Sequence, residues 1–139
     1  MTDATDQKRL LAAANLESQG PHYAQSVRMG HHELVADEPA ALGGADAGPA
    51  PFQLLMASLG ACTSITLEMY AARKGWALGT LNVRLTLHEE GETQHAERVL
   101  HTTSALTPEQ RDRLLEIAGK TPVTKVLLSF PITTRWSTP

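Results

Sequence analysis

The stretch SLGACTSITLEMY, residues 58–70, holds Cys62, the only cysteine in the chain. Cysteine does chemistry as its thiolate. The thiol is a poor nucleophile, so a working site needs a cation near the sulfur. On residue type alone the competing reading is a small side chain filling a core, because free cysteines are among the most buried residues. One cysteine cannot build a disulfide framework within a chain, which predicts a reducing, cytoplasmic setting. Six histidines invite a metal reading. His31 and His32 are adjacent, and in an extended strand they would point to opposite faces. His88, His95 and His101 fall at no ligand spacing, so neither a metal nor a cofactor is expected. The loop AALGGADAGPAP lacks the Gly-Lys-Ser/Thr that a phosphate-binding loop requires. Glu68 is expected to pair with Arg73 or Lys74, a structural role.

The elements that must position Cys62 can be read from pattern and composition. The chain has 139 residues, 42% of them hydrophobic, and a net charge of -3. That suits one α+β domain over residues 21–139, preceded by an N-terminal arm or short helix over 1–20. No basic stripe points to nucleic acid. The N-terminus has no apolar core of signal-peptide type. The run from Pro51 to Ala72 is interrupted by Gln53, Ser58, Thr63, Ser64, Thr66 and Glu68, which favours a buried soluble helix over a membrane span.

QKRLLAAANLE reads as helical. HYAQSVRMGHHELVADEP suits two short strands joined by a turn at Met29-Gly30-His31. Pro51 or Phe52 opens a long helix to Arg73 or Lys74, with Gly75 as its C-cap. It is apolar nearly all round and should be buried on most faces. Ala57, Gly60 and Ala61 let another element approach it closely. In GTLNVRLTLHE, Leu81, Val83, Leu85 and Leu87 share one face of a strand, and TQHAERVLHTTSAL returns as its partner. TPEQRDRLLEIAGK is a helix with Thr107 as N-cap, Pro108 in the first turn and Gln110 closing a capping box. TPVTKVLLSF repeats the Thr-Pro opening, with Thr121 as a cap, and PITTRWS ends the chain as a strand. Strands, a buried helix, more strands and two helices make an α+β pattern with an antiparallel sheet.

The Asp-Glu-Pro turn, the Gly-Gly loop, Gly-Pro-x-Pro, Leu-Gly-Ala-Cys-Thr and Met-Tyr-Ala-x-Arg-Lys-Gly-Trp occur in that order within residues 36–76. Together they resemble the OsmC/Ohr family, in particular its OsmC-like branch, and the resemblance runs from about His22 to Trp136. It implies an intertwined homodimer, with a curved sheet from both chains around long central helices. It also implies thiol-dependent reduction of organic hydroperoxides by two cysteines, held ready by an arginine from the N-terminal region and a glutamate near the start of the central helix.

Carried over by position, the peroxide-attacking cysteine is Cys62. The second cysteine falls on Thr121, which cannot form a disulfide, and the glutamate falls on Gln53, which cannot pair a charge. The arginine falls best on Arg28, with His31 or His32 as alternatives in the same corner. The catalytic candidates are therefore Cys62 and Arg28, and the pocket candidates Gln53, Thr121 and His32. The resemblance implies a weak or altered one-cysteine hydroperoxide reductase using an external thiol. The alternative is a non-enzymatic dimer of the same fold that binds a small apolar or thiol-reactive ligand at its interface pocket. Neither nucleic acid nor membrane is an expected partner.

Overall fold

The computed structural model describes residues 8–128 and 130–137. These fall into two compact units that meet in sequence at Leu54 and Leu55.

In the first unit, β1 (Asn15–Ser18), β2 (Gln25–Met29) and β3 (His32–Ala36) form an antiparallel sheet in the order β1-β2-β3. Met29 pairs with His32, so Gly30 and His31 alone make the turn, and Gly30 takes a φ of 61° that favours glycine. Val27 and Ala36 are buried on the inner face. The helix expected over QKRLLAAANLE is not formed among its described residues. Leu10 and Leu11 lie exposed, and Asn15–Ser18 pairs along Gln25–Arg28 instead. Local helix propensity is worth a few tenths of a kcal/mol per residue, about what one strand ladder overrides. After β3 the chain wraps round Asp37, whose carboxylate accepts the N–H groups of Glu38 (2.8 Å), Ala45 (3.1 Å) and Ala47 (3.1 Å). A side chain at Gly44 or Gly48 would run into the backbone of Glu38 or Val35, so both positions require glycine.

Helix α1 (Pro51–Lys74) is the longest element. It ends as the sequence predicts: Gly75 adopts φ 71°, and Trp76 N–H bonds the Ala71 carbonyl at 2.9 Å. Its buried residues are Leu59, Thr63, Leu67 and Ala71, one stripe at four-residue spacing. Burial on most faces was expected, and this chain by itself covers only that stripe. Phe52, Ile65 and Met69 are more than half exposed. By length and composition α1 could also cross a membrane. Its Leu67 and Ala71, however, pack into a core with Leu78, Leu114 and Ala118.

Strands β4 (Leu81–Glu90) and β5 (Thr93–Thr102) form a hairpin in register from Leu81↔Thr102 to Glu90↔Thr93. The expected face of Leu81, Val83, Leu85 and Leu87 is the half-buried one. Helix α2 (Pro108–Ala118) opens with the predicted box: Thr107 Oγ1 accepts Gln110 N–H at 3.1 Å, and Gln110 Oε1 accepts Thr107 N–H at 2.9 Å. Helix α3 (Pro122–Leu128) follows. The strand expected over PITTRWS is not formed. Residues 130–137 pair with no strand among the described residues, and Ile132 and Trp136 are exposed. A strand needs a neighbouring edge for its backbone groups, and none pairs with this segment among the described residues.

Candidate functional site

Cys62 lies in the middle of α1 and is half-buried. The next residue, Thr63, is fully buried, and its hydroxyl donates to the Leu59 carbonyl one turn back at 2.7 Å. This is the common way for a threonine to satisfy its proton inside a helix. With the proton spent, the Thr63 oxygen can only accept, and it accepts from Arg98 Nη1 at 2.7 Å.

Arg98 reaches this point because of strand periodicity. On β5 it alternates with Val99 and shares the half-buried face with Leu100 and Thr102. It sits opposite Leu85 in the ladder. Helix α1 approaches the same rung at Gly60, where an added Cβ would lie 3.1 Å from Leu85 Cδ1. A side chain there would require the tip of Leu85 to give way by a few tenths of an ångström.

The second Nη1 proton goes to Thr124 Oγ1 at 3.1 Å. The Thr124 oxygen lies 2.7 Å from Thr121 Oγ1 and 3.4 Å from the Ala118 carbonyl. Thr121 is 1% exposed. A chain of hydroxyls centred on one guanidinium thus ties α1, β5 and the start of α3 together. No carboxylate ion-pairs with Arg98 among the described residues. Burial pulls its pKa below the ordinary arginine value, and the charge interaction with Cys62 partly opposes that pull. Arginine stays charged at neutral pH regardless.

Two cavities adjoin these elements. One of about 320 Å³ is lined by Met56, Ala57, Gly60, Ala61, Val83 and Leu85. A larger one, about 670 Å³, has Leu67, Leu81, Arg98, Leu100 and Leu114 among its walls. Both offer apolar surface, and the larger also presents Arg98, Arg111 and Glu97.

The residues expected from sequence have separate fates. Cys62 and Thr121 both belong to the neighbourhood of Arg98. Thr121 does not act as the expected cap: its hydroxyl bonds Thr124 Oγ1 rather than a backbone N–H of α3. Gln53 occupies the third position of α1, and its Oε1 accepts the Ala50 N–H at 2.9 Å, which is half of a capping box. Arg28 lies on β2 and pairs with Glu33 across the β2–β3 ladder at 3.2 Å, with both side chains exposed. His32 opens β3, and its ring stands 4.1 Å from that of His31. The two rings do not diverge as an extended pair would, because His31 belongs to the turn. Arg98 was not among the expected residues. The signal for it was present: in AERVLHTT it falls on the same alternate positions as Leu100, the core side of the strand.

Comparison with known proteins places this arrangement. No curated protein matches the chain. Among solved structures, an OsmC-like protein from Mycoplasma pneumoniae superposes with a TM-score of 0.67 at 14% identity, covering 88% of this chain and 89% of that one. An organic hydroperoxide resistance protein OsmC from Legionella pneumophila gives 0.63 at 20% identity, covering 87% and 91%. The organic hydroperoxide resistance protein OhrB of Bacillus subtilis gives 0.60 at 20%, covering 84% and 89%. At these identities the likeness is one of fold. The profile of the OsmC family, described as OsmC-like protein, matches residues 43–137, which span α1, the hairpin, α2 and α3. An α+β chain with antiparallel sheets, a long helix carrying the lone thiol, and that match over most of its length belongs to the OsmC family.

Proposed function

We propose that this protein reduces organic hydroperoxides slowly through Cys62 alone, with external thiols as the reductant. The observation that carries this reading is the lone thiol on α1, one residue from Thr63, which bonds a half-buried arginine with no ion-paired carboxylate among the described residues, in a family that includes proteins named for organic hydroperoxide resistance. In the first step the Cys62 thiolate attacks one peroxide oxygen. The S–O bond forms as the O–O bond breaks, and the alkoxide leaves and takes a proton to become an alcohol. A sulfenic acid remains on Cys62. A small thiol then condenses with it, losing water and forming a mixed disulfide. A second thiol displaces Cys62 and departs as a disulfide. Thr121 offers no sulfur to shorten this route. Without an external thiol the sulfenic acid advances to the irreversible sulfinic acid.

The reading extends to a homodimer. The exposed face of α1, with Ile65 and Met69, is the apolar surface a second copy would cover. The test is to treat reduced protein with cumene hydroperoxide, with and without a small thiol, and weigh it. Oxygen gain on Cys62 without thiol, and alcohol formation with the thiol spared from over-oxidation, is the expected result. An unchanged mass under excess hydroperoxide would instead favour the second reading. That reading is a non-catalytic dimer whose 670 Å³ cavity binds a small apolar or thiol-reactive ligand.

A further inference from the structure

We propose that the larger cavity binds an aliphatic carboxylate, with its chain along a leucine wall and its head on the guanidinium groups of Arg98 and Arg111. This rests on the reading of that cavity as a ligand site. It does not depend on the reaction at Cys62, which is not among the described lining residues.

At about 670 Å³ the cavity falls within the range of small-molecule sites, about 300–1,000 Å³. Its apolar wall comes from Leu67 and Leu114 in the core, Leu81 and Leu100 on the hairpin and Leu115 on α2. Arg98 lines the same space and shares its strand face with Leu100. A clamp of hydroxyls takes both Nη1 protons, one to Thr63 and one to Thr124, and Thr121 holds Thr124 in turn. A guanidinium has five N–H donors. The other three, on Nε and Nη2, meet no protein acceptor among the described residues. The clamp thus spends one nitrogen on holding the group. It leaves Nε and Nη2 as a fork of the shape that a carboxylate accepts through both oxygens.

The polar part of the lining is unbalanced. Arg111 on α2 is exposed and pairs with no carboxylate among the described residues. Glu97, the acidic residue of the lining, and His101 alternate to the opposite strand face from Arg98 and are exposed. Thr102 and Thr103 spend their hydroxyls within the chain, on the Ser104 carbonyl at 2.9 Å and the Thr80 N–H at 2.8 Å. The leucines are therefore accompanied by one half-buried cation without a counter-ion and by a second at the rim. A cation withdrawn from water without a partner is costly, and an anion entering the cavity relieves that cost. A neutral apolar ligand would cover the leucines and leave the cost standing.

Titration calorimetry with decanoate, hexanoate and decanol, all below their aggregation limits, tests this. Decanoate should bind about tenfold tighter than decanol, the difference made by a charge-assisted pair. It should also bind tighter than hexanoate, by up to about fourfold for each methylene buried. Arg98→Met should weaken decanoate about tenfold and leave decanol unchanged. Arg111→Met should weaken decanoate about threefold, an effect that added salt removes. Leu115 is 59% exposed, so Leu115→Asp should fold, and its like charge in the wall should weaken decanoate more than decanol. Cys62→Ser should bind decanoate as the wild type does. Equal affinities for decanoate and decanol overturn the proposal, as does unchanged decanoate binding in Arg98→Met. Should that variant not fold, unchanged binding in both Arg111→Met and Leu115→Asp does so. Decanoate binding as stated, in a protein that consumes no cumene hydroperoxide, leaves this site standing and removes the peroxidase reading. Hydroperoxide turnover by a protein that binds no decanoate does the reverse.

Discussion

Replacing Thr121 separates two accounts of the start of α3. If Thr121 were a helix cap, serine would serve as well as threonine, and valine would be as damaging as alanine. Its actual setting predicts another order. The residue is 1% exposed, and its hydroxyl meets Thr124 Oγ1 at 2.7 Å. Thr121→Val keeps the shape and removes one buried hydrogen bond, while Thr124 retains Arg98 and the Ala118 carbonyl; the cost is about 1 kcal/mol. Thr121→Ser keeps the hydroxyl and deletes a buried methyl, also about 1 kcal/mol once the small void is included. Thr121→Ala loses both, about 2 kcal/mol. For a chain of this length the unfolding entropy is roughly 0.3 kcal/mol per degree. Serine and valine should each lower Tm by about 3–4 °C, and alanine by about 6–8 °C, in calorimetry at one fixed protein concentration. A serine variant melting with the wild type, beside a valine variant melting with alanine, would refute the clamp and restore the cap.

Further outcomes follow from other sites. Thr107→Ala should cost about 1 kcal/mol by breaking the capping box of α2, and Thr107→Ser should recover nearly all of it, both read from urea midpoints. Leu67 is fully buried between α1 and α2, so Leu67→Ala should cost about 3–4 kcal/mol, while Ile65→Ala on the exposed face costs far less in dilute monomer. The Asp37 carboxyl is held below its ordinary value, chiefly by the Ala47 N–H, with burial opposing and Glu38, Ala45 and the His22 charge assisting. A depressed carboxyl stabilises the fold fully above its unfolded pKa, about 3.9, and loses that contribution as pH falls through the lower folded value. The protection of the Ala45 and Ala47 amides relative to their intrinsic exchange should therefore fall below pH 4, and Asp37→Asn should show reduced protection at neutral pH. Sedimentation at micromolar concentration should give a dimer, and a well-folded monomer there would contradict that part of the reading.

Much of the frame was legible because it is written in local chemistry. The limits of α1 follow from Pro51 and Gly75, the β4–β5 hairpin from a period of two, and the start of α2 from Thr107, Pro108 and Gln110. What local chemistry could not supply were choices made by distant partners. QKRLLAAANLE has good helix formers, yet its last three residues, with Ser18, join a ladder. PITTRWS has strand formers and joins no edge among the described residues. Thr121 shares its Thr-Pro opening with Thr107, but a hydroxyl at Thr124 and a guanidinium from β5 draw its side chain elsewhere. Arg98 carries no local mark in the sequence beyond its place in the strand alternation, since most arginines are solvated. The alternation of β4, continued in its partner strand, places it on the half-buried face with Leu100.

The chain also carries its own optical gauge. Its two tryptophans stand in opposite circumstances. Trp76 is half-buried with its ring edge-on to Tyr70 at 5.6 Å, whereas Trp136 is 95% exposed in a segment that pairs with no strand among the described residues. The emission of Trp76 should stay constant as long as the core of α1 and α2 is intact. That of Trp136 should sit at the red, water-exposed limit and be readily quenched by acrylamide whenever the C-terminal segment is bare. A shift to the blue and a loss of quenching on raising the concentration, abolished by Trp136→Phe alone, would time the covering of that segment separately from the folding of everything before it.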